Sequence, residues 1–294
     1  MRRTYLVGLI GAGIEPSLTP MLHEHEAAAL GLPYVYRLID IDAAGLTAAA
    51  TPGLVKMARL LRFDGLNVTH PCKQAVIGAL DDLSPEAEAV GAVNTVVIRG
   101  DRATGHNTDW SGFAHSLRRG LPGAPLGHVV VLGAGGAGAA VCYALGHLGA
   151  QRVTVIDTDE PRAAALAASL APVFGARRIE DAPASRLLPA LAHADGLVHA
   201  TPTGMADHPG MAVPAGALVP PLWVADVVYR PLATELVAAA RAAGCRTLDG
   251  GAMAVFQAAE AFRLFTGAQP DVDRMLADFG RLTAQEAGDA RLAG

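Results

Sequence analysis

The chain has 294 residues, 51% of them hydrophobic and 17% charged, with a formal net charge of -5. That length fills two domains or one large one, and so much apolar content excludes a disordered chain. An acidic balance with no basic stripe excludes the usual electrostatic footprint for nucleic acid.

In chain order, Leu6 to Ile10 reads as a buried strand closed by Gly11-Ala12-Gly13, and Thr19-Pro20 opens a helix to about Leu30, with Pro20 where no N–H is needed. Val35 to Ile39 is a second strand, Leu54 to Leu61 a helix and Gly65 to Val68 a short strand. Lys73 to Leu80 is expected as a helix started by Pro71. Val93 to Arg99 is β-branched and strand-like, with a turn at Gly100-Asp101. Asp109 to Leu117 is helical, and Gly120-Leu121-Pro122-Gly123-Ala124-Pro125 is turn-rich, the expected junction between domains. Strand Val129 to Leu132, helix Ala139 to Leu148 and strand Arg152 to Ile156 follow. Then come helix Pro161 to Leu170, strands Gly196 to Ala200 and Trp223 to Val227, and helix Thr234 to Ala243. Strands alternating with helices place the chain in the α/β class.

No apolar run spans a bilayer, and Tyr5 to Ile10 is too short for a signal core. Cys72, Cys142 and Cys245 form neither a CxxC pair nor a metal spacing, and no set of histidines has metal spacing either. The expectation is a cytoplasmic protein with free thiols, no metal and no membrane partner.

Gly133-Ala134-Gly135-Gly136-Ala137-Gly138 lies between a strand and a helix, and Asp157 ends the next strand. This order is the context a dinucleotide loop requires. Gly133 permits the tight turn, Gly135 lets backbone approach a pyrophosphate, and Gly138 lets the helix lie close to the strand. A carboxylate at position 157 accepts hydrogen bonds from a ribose 2′-hydroxyl and repels a 2′-phosphate. Asp159 and Glu160 add negative charge, with Arg162 the one counterweight or a platform for the adenine ring. The expected cofactor is therefore NAD rather than NADP.

Lys73 ends a polar turn, Asn67-Val68-Thr69-His70-Pro71-Cys72-Lys73. A lysine, with an ordinary pKa of about 10.4, carries protons near neutrality only where its site lowers that value or grips the substrate's proton. An adjacent carboxylate favours the ammonium, so Asp109 beside it would orient and couple rather than lower that value. His70 stands in the same turn, next but two to the lysine. His23, His25, His106 and His199 read as packing or surface residues, Trp110 and Trp223 as core. Tyr229 either closes over the nicotinamide or merely packs.

These turns, with Ser17-Leu18-Thr19-Pro20, Gly91-Ala92-Val93-Asn94-Thr95, Gly105-His106-Asn107-Thr108-Asp109-Trp110-Ser111-Gly112, Ala200-Thr201-Pro202-Thr203-Gly204-Met205, Asp226-Val227-Val228-Tyr229-Arg230-Pro231 and Gly250-Gly251-Ala252-Met253 with Gln257, resemble the shikimate dehydrogenase family along nearly the whole chain. The resemblance implies an N-terminal α/β substrate-binding and catalytic domain, 1–113 with 253–294, and a Rossmann-type parallel-sheet domain, 114–252, with the active site in the cleft between them. It implies that Ser17 and Thr19 bind a substrate carboxylate, and that Thr69, Asn94 and Gln257 bind hydroxyls. Lys73 and Asp109 would be the catalytic pair. Gly135, Gly136 and Ala137 would meet the pyrophosphate, and Thr201, Val228, Gly251 and Met253 would line the ribose and nicotinamide.

Thr19 stands where serine is commoner, His70 where an apolar residue is usual, and His199 where asparagine is frequent. Thr19, the Thr69-His70-Pro71 form and Asp157 together are similar to the NAD-using quinate/shikimate branch. The implied activity is oxidation of the C3 hydroxyl of shikimate or quinate. An aminoshikimate dehydrogenase and a non-catalytic NAD-sensing module are the alternatives. The expected partner is a small polyol carboxylic acid, and a homodimer stays open.

Overall fold

A computed structural model describes residues 3–292. They form two compact units. The first takes the chain up to Glu88, Ala92–Thr108 and the chain from Val255; the second takes Ala89–Gly91 and Asp109–Ala254.

The first unit opens with β1 (Tyr5–Gly11), α1 (Thr19–Ala29), β2 (Tyr34–Asp40), α2 (Thr51–Leu60) and β3 (Gly65–Val68). Then come β4 (Asp82–Leu83), α3 (Pro85–Val90), β5 (Thr95–Arg99) and β6 (Arg102–His106). The sheet order is β2-β1-β3-β5-β6-β4. β1 pairs in parallel with β2 and β3, and β5 runs antiparallel to β3 and β6. β5 and β6 form a hairpin whose two-residue turn uses Gly100 at φ +60°, a conformation glycine adopts without a Cβ penalty.

The helix expected over Lys73 to Leu80 is not there. That stretch is a run of turns with a 3-10 turn at Ile77–Ala79. The Lys73 carbonyl accepts the distant Val93 N–H at 2.9 Å, and Ile77 N–H turns instead to Gln74 three residues back. A long-range backbone bond has displaced the local i to i−4 ladder.

The second unit begins with α4 (Asp109–Gly120), followed by β7 (His128–Leu132), α5 (Gly136–Leu148), β8 (Arg152–Ile156), α6 (Glu160–Phe174) and β9 (Ile179–Asp181). Then come α7 (Leu187–Leu191), β10 (Gly196–His199), β11 (Trp223–Asp226), α8 (Glu235–Ala242) and β12 (Thr247–Leu248). All six strands are parallel in the order β12-β11-β10-β7-β8-β9. This is the doubly wound dinucleotide-domain order, reversing between β7 and β10. Apart from the short edge strands β9 and β12, the strands are nearly continuous apolar runs, as a sheet covered on both faces requires.

The turn at 120–125 is not the junction between units. α4 packs on α5 and buries Phe113, Ala114 and Leu117, so the break falls before it, at Thr108/Asp109.

α9 (Gly251–Thr266) leaves the second unit at Val255, and α10 (Val272–Leu292) follows. In the first unit Ala261 and Phe265 of α9 pack on Val7, Leu9, Ile14 and Tyr36, while Ile10, Leu66, Val68 and Val96 pack with Val55 and Ala58 of α2. Alternate residues of β1 thus face opposite helical layers. No described helix is long and apolar enough to cross a membrane.

Candidate active site

In the first unit the predicted polar residues collect at the carboxyl ends of β1 and β3. β3 delivers Thr69, whose N–H donates to Ile10 O at 2.9 Å, while the His70 carbonyl accepts Ala12 N–H at 3.0 Å. Gly11 is what lets the two strands' ends close up: a Cβ there would lie 2.3 Å from Thr69 Cγ2 and 2.8 Å from Ile14 Cγ2. His70 itself is exposed.

The loop to Ser17 hangs from Asp40, whose carboxylate accepts the N–H groups of Ile14, Gly13, Asp42 and Ala43 at 2.8–3.3 Å. Desolvation pushes that carboxyl up, but these N–H groups outweigh it and hold the group below its usual range. Ser17 Oγ accepts the Thr19 N–H at 3.3 Å, so both hydroxyl residues sit in one turn at the head of α1.

Lys73 is half-buried, and its carbonyl bond to Val93 sets it beside Asn94. Asn94 is 3% exposed. Its amide N–H group donates to Thr108 Oγ1 at 2.9 Å and Gln257 Oε1 at 3.5 Å, and its carbonyl oxygen accepts Thr108 N–H at 2.7 Å and the Thr95 hydroxyl at 3.0 Å. Gln257, on α9, is thereby joined to the turn of Thr69 and Lys73. Asp109, at the first position of α4, belongs to the second unit.

In the second unit the glycine loop follows β7. A Cβ on Gly133 would stand 2.5 Å from Ala200 O, and one on Gly138 would stand 1.9 Å from Gly133 O. Both glycines are forced by backbone approach. Gly135 differs, because a Cβ there meets nothing within 4 Å. It caps α5 without a capping side chain, so the helix presents first-turn N–H groups beside open space. This donor set fits a pyrophosphate.

Asp157 does more than end β8. Its Oδ2 accepts Ala134 N–H at 2.7 Å and its Oδ1 accepts Asp159 N–H at 2.8 Å, so it pins the glycine loop. Arg162 is held by Asp159 at 2.7 Å and lies 4.0 Å from Asp157. Thr201 and Val228 follow β10 and β11. Gly250 lies against the backbone after β11, since a Cβ would be 2.5 Å from Val227 O and 2.7 Å from Val228 O, and Gly251 N–H donates to Asp249 Oδ1 at 3.2 Å. Met253 is buried in the next turn.

One set of residues escaped the sequence reading. His199 is neither simple packing nor surface: its Nδ1 lies 3.0 Å from Asp226 Oδ1 and its Nε2 2.5 Å from Thr201 Oγ1. Asp226 also accepts the Val228 N–H at 3.0 Å and the Thr234 hydroxyl at 2.7 Å. A buried aspartate at the carboxyl end of a strand was the available signal. Of the other histidines, His23 is core and His25 pairs with Asp278 at 2.7 Å. Trp223 is core, while Trp110 is only half-buried against Tyr143 and His147. Cys72, Cys142 and Cys245 are free and buried. Among the described residues no group of three or more His, Cys, Asp and Glu is arranged to hold a metal ion.

Residues 9–96 match the shikimate dehydrogenase substrate binding domain, and 252–277 match the shikimate 5′-dehydrogenase C-terminal domain. The chain is 63% identical to shikimate dehydrogenase (NADP(+)) of Streptomyces avermitilis, covering 97% of this chain and 98% of the relative. It is 50% identical to quinate/shikimate dehydrogenase (NAD(+)) of Corynebacterium efficiens, covering 93% and 97%. The structure of quinate dehydrogenase from Corynebacterium glutamicum in complex with NAD superposes with a TM-score of 0.88 at 49% identity, covering 94% and 98%. With both domain models matched in order and relatives this similar over almost their whole length, the chain belongs to the shikimate dehydrogenase family.

Proposed function

We propose that the protein is an NAD-dependent dehydrogenase that reversibly oxidises the C3 hydroxyl of shikimate or quinate to the 3-dehydro product. The observation that supports this best is the junction in the first unit of Thr69, the Lys73 backbone and the Asn94–Gln257 pair, several neutral donors and acceptors on the turn that carries the lysine. A polyol acid needs such a set, because each mismatched hydroxyl would leave a buried polar group unpaired. Ser17 and Thr19 hydroxyls hold the carboxylate, since its oxygens need donors more than a full countercharge. Thr69, Asn94 and Gln257 orient the ring hydroxyls.

Lys73 takes the proton from the C3 hydroxyl during oxidation and returns it during reduction, and Asp109 couples to it. When bound, the nicotinamide supplies the hydride acceptor. Gly135, Gly136 and Ala137 present N–H groups to the pyrophosphate, with Gly133 shaping the turn. Thr201, Val228, Gly251 and Met253 line the far end. Asp157, Asp159 and Glu160 outnumber Arg162 at the adenine ribose, and Asp159 already holds that guanidinium, which favours NAD over NADP. Three free buried thiols suit the reducing cytoplasm.

The test is a panel of shikimate, quinate and aminoshikimate, each with NAD and with NADP, followed by absorbance of the reduced nicotinamide. The expected result is NADH formation with shikimate or quinate and little with NADP. Preference for NADP, the cofactor in the name of the Streptomyces relative, would overturn the cofactor assignment. Turnover of aminoshikimate alone would move the substrate, and dinucleotide binding with no turnover would make the protein a sensor.

A further inference from the structure

The buried acid–imidazole pair at the ends of β10 and β11 has no role in the chemistry above. The His199 and Asp226 side chains are 1% and 0% exposed. Such a pair costs desolvation energy and persists where its hydrogen bonds are complete. Asp226 is complete: its oxygens accept from His199 Nδ1, Val228 N–H and the Thr234 hydroxyl. Thr234 in turn caps α8 through Val237 N–H at 3.2 Å, so the carboxylate is fixed by two elements.

For an ionised Asp226 beside a neutral imidazole, that arrangement sets the proton positions. An ionised carboxylate only accepts, so Nδ1 carries the imidazole proton. In the neutral ring Nε2 is then an acceptor, and the Thr201 hydroxyl must be the donor in the 2.5 Å bond. With its proton committed to His199, the Thr201 oxygen has only lone pairs left. One accepts Thr203 N–H at 3.3 Å; the other is available to a ligand.

Thr201 adjoins the glycine loop, because a Cβ on Gly133 would lie 3.0 Å from Thr201 Cγ2. It stands on the β10 side of the point where the strand order reverses, opposite the β8 side that carries Asp157. Ligands of open α/β sheets cross at that point, one mononucleotide half to each side.

We infer that His199, oriented by Asp226, is a positioning residue that turns the Thr201 hydroxyl into a fixed hydrogen-bond acceptor for an N–H or O–H donor on the non-adenylate half of the dinucleotide. The inference rests on the dinucleotide reading of the second unit. It asks nothing of the polyol substrate.

The informative variant is His199→Asn. Its Nδ2 keeps a donor for Asp226, so the buried carboxylate stays paired, while the acceptor for Thr201 is withdrawn. Binding is measured by calorimetry for NADH and NADPH, with ADP and 2′-phospho-ADP as probes that lack the far half. For whichever dinucleotide wild type binds more tightly, the variant should bind about three- to tenfold more weakly, the range of one lost hydrogen bond. The matching ADP probe should bind within about twofold of wild type.

In a Thr201→Val background, His199→Asn should cost nothing further, because its effect passes through the hydroxyl. His199→Gln, which returns an amide oxygen near the Nε2 position, should recover most of the loss. Equal losses for ADP and dinucleotide, additive losses in the double variant, or unchanged dinucleotide binding would each overturn the inference alone. Wild-type protein that binds neither dinucleotide would sink the functional reading with it.

Discussion

One amide organises the polar end of the first unit. Asn94 accepts from the Thr108 backbone and the Thr95 hydroxyl and donates to Thr108 and Gln257. Asn94→Ala leaves buried groups unpaired, a cost of about 1–3 kcal/mol. Chemical denaturation should show that loss, together with weakened substrate binding at unchanged cofactor affinity. Gly138→Ala is the matching test in the second unit. Its Cβ would fall on the Gly133 carbonyl, and backbone cannot swing aside as a side chain can. Dinucleotide binding should be lost, as read by fluorescence of bound NADH; wild-type affinity would show that the loop relaxes. Both residues stand out in the sequence, Gly138 by its spacing and Asn94 by its motif. The His199–Asp226–Thr201 network does not, because its members are far apart in the chain and only the parallel register of β10 and β11 pairs His199 with Asp226.

At the scale of elements, the strands and helices with strong apolar periodicity were legible. α1 and β8 fall within a residue of their expected bounds. β6 was not, because its inward residues are Ala103 and Gly105 and it carries no hydrophobic signal. A Cβ on Gly105 would lie 2.5 Å from Leu80, so small residues are what the packing there demands. The 3-10 turn after Lys73 was misread because Val76 and Leu80 have helical spacing while the deciding bond comes from Val93. α10 is fastened to α1 by Arg274, whose guanidinium donates to both oxygens of the buried Glu26 at 2.9 and 2.6 Å. Arg274→Ala takes the countercharge from that carboxylate and leaves it the Asp271 N–H at 2.8 Å. Because Arg274 is 39% exposed, the expected loss is about 2 kcal/mol, below the usual range for a fully buried pair. Urea unfolding measures it, and no change would mean that water replaces the arginine.

For the whole molecule, acid stability should report on His23. It is fully buried among Tyr36, Phe262 and Phe265, with its Nδ1 2.9 Å from the Tyr34 hydroxyl, and burial pulls its pKa down to about 3. The unfolded chain takes up that proton near pH 6.5, whereas the folded protein takes it up only near pH 3. Stability is therefore full above pH 6.5 and falls as pH drops toward 3, by up to about 5 kcal/mol from this group. The thermal midpoint should decline across that window, and His23→Phe should flatten the decline; an unaltered slope would mean that other groups carry it. The division into two units was legible in outline, since the glycine loop and the lysine turn announce different chemistries. Its boundary was not, because α4 joins the second unit through packing on α5 rather than through any break in composition.

In the proposed reaction Lys73 moves the hydroxyl proton while a dinucleotide takes the hydride. Steady-state kinetics of Lys73→Ala with shikimate and NAD test it most directly. The expected result is a kcat lower by about 10²–10⁴-fold, with substrate KM and NADH affinity within a few-fold of wild type. Wild-type turnover in that variant would contradict the account.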